Sequence, residues 1–216
     1  MKRREWLSAV LRSFLRWLYH KGAWAYEGVA ALVSAGRWVS WVMRALDHLE
    51  GERVLEIGHG PGHLLAAMVH RGLRPVGLDL SLPMVRQARR RTGAVVPLAQ
   101  GRAQALPFPD GTFDTVVTTF PAPFILEAAT WREVARVLRP GGRFVVLLSA
   151  WPTGPAFLSR ALRVLYRWST PPDRRAPFLD SFYPLAQEAG MELREWSTWD
   201  GPWHLWGVIA VQWDPR

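Results

Sequence analysis

The chain contains no cysteine, so it has neither a disulfide framework nor a thiolate metal site. Lysine is nearly absent too. It occurs only at Lys2 and Lys21, and the formal charge of +9 rests almost entirely on arginine. Long apolar runs are also missing. A membrane-spanning helix needs roughly 20 mostly apolar residues, and the stretch 22–35 is shorter and contains Glu27. Arg12 and Arg16 interrupt the apolar positions of the first 20 residues and no small-residue cleavage site follows, which argues against a signal peptide. No zinc-finger or helix-turn-helix spacing accompanies the basic charge, so nucleic acid is not the expected partner. The charge then reads either as a solvated basic surface or as attraction to anionic lipid.

The 216 residues are 49% hydrophobic, enough for a substantial core. Tryptophan is in excess, with 13 residues, and their placement is uneven. Trp6, Trp17, Trp24, Trp38 and Trp41 precede residue 50, seven more lie beyond residue 150, and only Trp131 falls between. The central part therefore reads as a standard ligand-binding core with aromatic flanks.

Residues 1–20 carry Trp6, Leu7, Val10, Leu11, Phe14, Leu15, Trp17 and Leu18 at helical spacing, opposite Arg4, Arg12 and Arg16. This amphipathic helix either docks on the domain or lies at an anionic membrane surface. A second amphipathic helix is expected over about 37–49. From Arg53 strands and helices alternate. Strands are expected at Arg53–Ile57, Val76–Leu78, Ala94–Leu98, Phe113–Thr119 and Phe144–Leu148. The intervening helices are expected near 62–71, 83–91 and 128–138, the last closed by Arg139-Pro140-Gly141-Gly142. A helix near 178–189 and strands at Met191–Ser197 and Leu205–Trp213 follow, with Asp200-Gly201-Pro202 as the turn of an antiparallel pair. The expected fold class is α/β: a doubly wound, Rossmann-like sheet of seven strands, mostly parallel with an antiparallel last strand, helices on both faces and N-terminal amphipathic helices. The expected division is a helical lid or substrate segment at 1–50 and a ligand-binding domain at 51–216, with an insertion at 151–177.

The run Val54-Leu55-Glu56-Ile57-Gly58-His59-Gly60-Pro61-Gly62-His63 ends an apolar strand in three glycines spaced two apart. Glycines here permit a tight turn and close backbone approach to a ligand. A dinucleotide fingerprint would place its third glycine at His63, so a nicotinamide cofactor fits poorly. Asp79, roughly 20 residues on at the end of the second strand, is placed to accept hydrogen bonds from ribose hydroxyls, or else serves as a helix N-cap or turn residue.

Four blocks now stand in order: Glu56 to Gly62, Gly77-Leu78-Asp79-Leu80-Ser81, Ala105 to Asp114, and Leu138-Arg139-Pro140-Gly141-Gly142-Arg143-Phe144. On them the chain resembles the class I S-adenosylmethionine-dependent methyltransferases, over roughly Tyr19 to Val211. The nearest likeness is to the subgroup acting on quinone precursors, phospholipids and other small molecules. The resemblance implies S-adenosyl-L-methionine as cofactor and S-adenosyl-L-homocysteine as product. It implies that Glu56 orients the glycine turn and that Gly58, His59, Gly60 and Gly62 pack against the methionine part. Asp79 would take the ribose, Leu80 and Met84 the adenine face, and Arg102, Ala103 and Gln104 the adenine edge. Thr119 and Phe120 would close the site beneath the sulfonium. The family usually has an acid where Arg102 stands, and a guanidinium cannot accept the adenine amine's hydrogen bond. Backbone groups or Gln104 would have to replace it.

No metal is expected. The loop Thr118 to Ile125 lacks the His/Asp pairs often found there and offers an apolar, proline-stiffened wall. Candidate bases are His59, His63, Tyr26 and Glu127, each with a structural alternative: the histidines filling the glycine turn, Tyr26 packing in a lid, Glu127 capping a helix. The substrate side is expected to draw on Tyr19, Trp24, Tyr26, Phe124, Trp151, Phe157 and Tyr166, aromatic walls that suit a flat or lipid-like acceptor. Arg160, Arg163 and Arg167 could meet an anionic head group. The expected activity is methyl transfer to a small, apolar or lipid-like acceptor, in the cytoplasm or peripherally at the inner membrane face. The competing reading is a non-catalytic cofactor-binding or membrane-surface protein on the same fold.

Overall fold

A computed structural model describes residues 28, 34–121, 123–152 and 180–214. The helix expected over residues 1–20, the aromatics Tyr19, Trp24, Tyr26, Phe157 and Tyr166, and Arg160, Arg163 and Arg167 lie outside the described residues. Among those described, no helix is long and apolar enough to cross a membrane.

The described chain begins with a short helix, α1 (Trp38–Met43), continued by a 3-10 turn at Arg44–His48. Then come β1 (Arg53–Ile57), α2 (His63–His70), β2 (Arg74–Asp79), α3 (Leu82–Thr92) and β3 (Leu98–Gln100). β4 (Phe113–Thr119), α4 (Ala128–Val137) and β5 (Leu138–Pro152) complete the alternating part. α5 (Phe182–Glu188) leads to the hairpin β6 (Met191–Asp200) and β7 (Trp203–Gln212). The seven strands form one sheet in the order β3-β2-β1-β4-β5-β7-β6. β1 to β5 run parallel, and β7 is antiparallel to both β5 and β6.

Chemistry is placed by the central strands. β1 and β4 are buried on both faces, with Val54, Leu55, Val116 and Val117 wholly inaccessible, as expected of strands covered by helices on each side. One face packs against α4 and α5 through Trp131, Phe144 and Phe182, and Trp131 meets Phe144 edge-on at 5.3 Å. The other packs against α1 and α2 through Val42, Leu64, Leu65 and Met68. The tryptophan excess resolves in part into a third cluster, where Trp41, Trp196 and Trp203 surround Leu147 and Leu205.

Two expected boundaries move. The third strand is not at 94–98: Gly93–Val95 is a 3-10 turn with Val95 exposed, and the strand begins at Leu98. Pro97 lacks an N–H, and its carbonyl accepts the Gly77 N–H at 3.0 Å, so the ladder with donors on β3 starts only beyond it. Arg139 to Gly142 does not close a helix outside the sheet. α4 stops at Val137, β5 starts at once, and the proline and glycines occupy a register shift against β4 between the pairs Phe113–Leu138 and Thr115–Arg143.

Candidate functional site

The turn after β1 is built from backbone that only glycine adopts readily. Gly58, Gly60 and Gly62 have φ of 70°, 52° and 82°. Gly62 also stands so close to α3 that a Cβ there would lie 2.8 Å from the Ala88 Cβ. The turn is pinned from several sides. The Gly58 N–H donates to the Leu78 carbonyl at 2.7 Å. The Gly60 N–H donates to Asp79 Oδ2 at 2.9 Å, and Asp79 Oδ1 accepts the Ser81 N–H at 2.8 Å. The Arg91 guanidinium donates to the Pro61 carbonyl.

Above this turn, at the carboxyl ends of β1 and β4, lies a cavity of about 190 Å3. Glu56, the glycine turn, His63, Thr118, Trp38, Val42, Phe120 and Phe124 line it, and the Phe124 ring lies 3.8 Å from where a Gly58 Cβ would stand. Phe124 is held by α4, whose Thr130 Oγ and Glu127 N–H both donate to its carbonyl at 2.8 and 3.1 Å. Phe120 ends β4 with a φ of 48°, a costly conformation for a bulky residue. Its ring meets Trp38 at 4.4 Å.

Three residues bounding the cavity each carry a buried polar atom without a hydrogen-bond partner: Glu56 Oε2, His59 Nε2 and Thr118 Oγ1. Such atoms are costly and mark a place where a polar ligand belongs. Burial pushes the Glu56 carboxyl well above the usual 4.5, the Asp79 charge pushes the same way, and the Leu65 N–H opposes both. Burial lowers the His59 imidazole, against the Asp79 charge and the Gly60 carbonyl. His59 Nδ1 lies 2.8 Å from that carbonyl. In the neutral ring Nδ1 therefore carries the proton and Nε2 is left as an acceptor.

Eight of the anticipated residues line one cavity. Glu56, Gly58, His59, Gly60, His63, Thr119, Phe120 and Phe124 bound the cavity. Gly62 shapes the turn from within the fold. Asp79 is 1% exposed and bounds no part of the cavity. It organises the turn through Gly60. Leu80 beside it is 46% exposed, an open apolar bed. Met84, expected beside it, is instead wholly buried beneath α3 because it faces the core side of that helix. Gly101 follows the strand end, its N–H on the Asp79 carbonyl at 3.1 Å. In the next turn Arg102 is exposed, Ala103 is in the core and Gln104 is half-buried. Glu127 is exposed at the N-cap of α4, makes no side-chain cap and does not bound the cavity. As a candidate base it is displaced, since its backbone faces Phe124 and its side chain faces solvent. Trp151 sits on β5 away from the cavity. Sequence reading missed Trp38 and Val42. The helical pattern of 37–49 was visible, but nothing local shows which of its faces covers the turn.

A parallel sheet with this strand order, an antiparallel seventh strand and a glycine turn backed by carboxylates at the ends of β1 and β2 defines a Rossmann-like methyltransferase. Residues 55–146 match the family model described as a methyltransferase domain. The demethylmenaquinone methyltransferase of Streptomyces griseus subsp. griseus is 30% identical over 190 residues, covering 82% of this chain and 80% of that protein. The demethylmenaquinone methyltransferase of Symbiobacterium thermophilum is 34% identical over 151 residues, covering 64% of this chain, and the chain spans 60% of that protein's length. A SAM-dependent methyltransferase structure from Methanosarcina mazei shares the fold with a TM-score of 0.55 at 17% identity, covering 78% of this chain and 96% of that one. The chain belongs to the class I S-adenosylmethionine-dependent methyltransferases, on their quinone-methyltransferase-like side. The cofactor of that class is S-adenosyl-L-methionine, and the orphaned polar atoms around the glycine turn fit its charged methionine end.

Proposed function

We propose that this chain methylates a small aromatic acceptor of the reduced-quinone type with an apolar substituent, using S-adenosyl-L-methionine. The observation that carries the reading is a cavity lined both by residues with partnerless polar atoms, Glu56, His59 and Thr118, and by the aromatic residues Trp38, Phe120 and Phe124. The names of the relatives favour a demethylmenaquinone-type ring over other flat acceptors.

When bound, the sulfonium cofactor supplies a methyl group already activated for displacement. The chain then has to align the acceptor and keep water out. Glu56 and the backbone of Gly58 to Gly62 would hold the methionine end, with the Glu56 carboxylate favoured by the arriving ammonium. The rings of Trp38 and Phe120 offer flat faces to an aromatic acceptor. His59 Nε2 and the His63 ring are the groups at hand to hold a proton from an acceptor hydroxyl. His59 suits the task in being neutral with its Nε2 unprotonated.

The test is an assay of labelled methyl transfer to a short-chain demethylmenaquinone kept reduced, beside a phospholipid amine and a catechol. Transfer to the reduced naphthoquinone alone supports the reading. Steady transfer only to another acceptor class, or none to any, contradicts it.

A further inference from the structure

We propose that Asp200, at the tip of the β6–β7 hairpin, is a positioning residue for the acceptor side of the site. It locks α1 so that Trp38 stands opposite Phe120, and in this way sets acceptor affinity without touching the cofactor. The inference rests on the acceptor reading above.

α1 has six residues and no side-chain bond at its N-cap residue Arg37. So short a helix has no stability of its own in water, yet it supplies both Trp38 and Val42 to the cavity wall. Whatever fixes α1 therefore fixes that wall.

Val42 packs on α2 and the Trp38 N–H donates to Ser34 Oγ at 2.9 Å, and two further anchors come from one hairpin tip. One is apolar: Trp41, 1% exposed, packs on Trp203 with ring centroids 4.7 Å apart. The other is polar. Asp200 Oδ2 accepts the Ser40 hydroxyl at 2.7 Å, Asp200 Oδ1 accepts Arg37 Nη1 at 3.3 Å, and Arg44 Nη2 stands 3.6 Å from the same oxygen. Residues 37, 40 and 44 are spaced three and four apart, so they share one helical face, and that face converges on a single carboxylate. The Asp200 side chain is only 11% exposed. The Arg37 and Arg44 side chains are 43% and 40% exposed, so solvent screens the ion pairs and the half-buried Ser40 bond to the carboxylate is the firmer part of the clamp. The Arg37 guanidinium lies over Gly201, 3.3 Å from where a Cβ would stand, so the turn is shaped to receive it.

Asp200 is 160 residues from Ser40 in sequence and does not bound the cavity. Its route to the site is mechanical, through α1 to Trp38 and from Trp38 to Phe120 at 4.4 Å. Glu56 and Asp79 lie on β1 and β2 and the glycine turn follows β1, and the bonds that hold the turn come from Leu78, Asp79 and Arg91 and none from α1. Loss of the clamp should therefore separate the two ligands, loosening the acceptor wall and sparing the cofactor end.

The experiment compares wild type, Asp200→Ala, Asp200→Glu and a control, Arg132→Ala, which breaks the exposed Arg132–Glu188 pair. Binding of 2-hydroxy-1,4-naphthoquinone is followed by tryptophan quenching, and binding of S-adenosyl-L-homocysteine by calorimetry. Asp200→Ala is expected to weaken the naphthoquinone at least about fivefold, a little over 0.9 kcal/mol, and to leave the homocysteine product within about twofold. Asp200→Glu should recover part of the loss, and Arg132→Ala should change neither. Equal weakening of both ligands, or of neither, overturns the proposal. If wild type fails to bind the naphthoquinone, the acceptor reading falls. The clamp is then judged by amide exchange over residues 38–43: faster exchange in Asp200→Ala upholds it, and unchanged exchange overturns it.

Discussion

Asp79 Oδ2 accepts the Gly60 N–H at 2.9 Å, tying the end of β2 to the middle of the turn after β1. The other carboxylate oxygen takes the Ser81 N–H. One buried side chain thus joins the glycine turn, the second strand and the start of α3.

Removing that carboxylate leaves two backbone donors without their acceptor, at about 1–3 kcal/mol each. Asp79→Ala should therefore lower the thermal midpoint by several degrees, at roughly 2–4 °C per kcal/mol for a chain of this size. Asp79→Asn keeps an acceptor oxygen and should lose clearly less. Calorimetric scans of both variants check this. Equal losses would mean that the carboxylate's geometry is not what matters.

Gly77 pairs with Glu56 across β1 and β2. A Cβ there would stand 2.6 Å from Leu98 Cδ2, 2.8 Å from the His59 ring and 2.9 Å from Leu65 Cδ1. Gly77→Ala should cost about 1–3 kcal/mol by overpacking and displace His59. Urea unfolding and the imidazole resonances of His59 report the two effects. A neutral substitution would show that these side chains yield freely.

Glu56 and Asp114 should give opposite pH responses. Glu56 keeps its proton to higher pH when folded. Its contribution is fully present below about pH 4.5 and is lost as pH rises through the folded value. At Asp114 burial opposes ionisation, but the Arg53 and Glu52 N–H donors and the Arg139 charge outweigh it and hold the carboxyl below the usual 3.8. That contribution is present above about pH 3.8 and is lost as pH falls. In urea unfolding of the ligand-free protein across pH, Glu56→Gln should flatten the fall toward neutral pH. Asp114→Asn should flatten the fall toward acid. Either variant retaining the wild-type slope contradicts its assignment.

Arg136 donates to the carbonyls of Leu106 and Phe108, at 2.9 and 2.8 Å, and pairs with Glu133 and Asp110. Glu133 in turn accepts the Leu106 N–H at 2.6 Å. Arg136→Ala should release the loop between β3 and β4 at about 1–3 kcal/mol, read as faster amide exchange at Leu106 and Phe108. Exchange unchanged at both would mean that the loop is held by its buried Leu106 alone.

The sequence made the framework legible where local pattern decides structure. Phe113–Thr119 is a strand with the expected ends because its apolar run has no competing signal. The three glycines turn where their spacing requires, and the antiparallel hairpin follows from Asp200-Gly201-Pro202. β3 was misplaced because Val95 and Val96 favour a strand locally, while Pro97 cannot donate to one. The position of Asp79 at the end of β2 is legible as a ribose or turn residue, and its bond to Gly60 adds a tie across strands that spacing does not reveal. Trp38 and Asp200 were least legible. Their roles depend on contacts across the whole chain: Trp38 carries no motif, and Asp200 is legible only as a turn residue.

The most direct test is a calorimetric titration of S-adenosyl-L-homocysteine into wild type and Asp79→Ala. Saturable binding to wild type, weakened at least about tenfold in the variant, or roughly 1.4 kcal/mol, is the expected result. Absence of binding to wild type, or undiminished binding in the variant, would contradict the placement of the cofactor at the glycine turn.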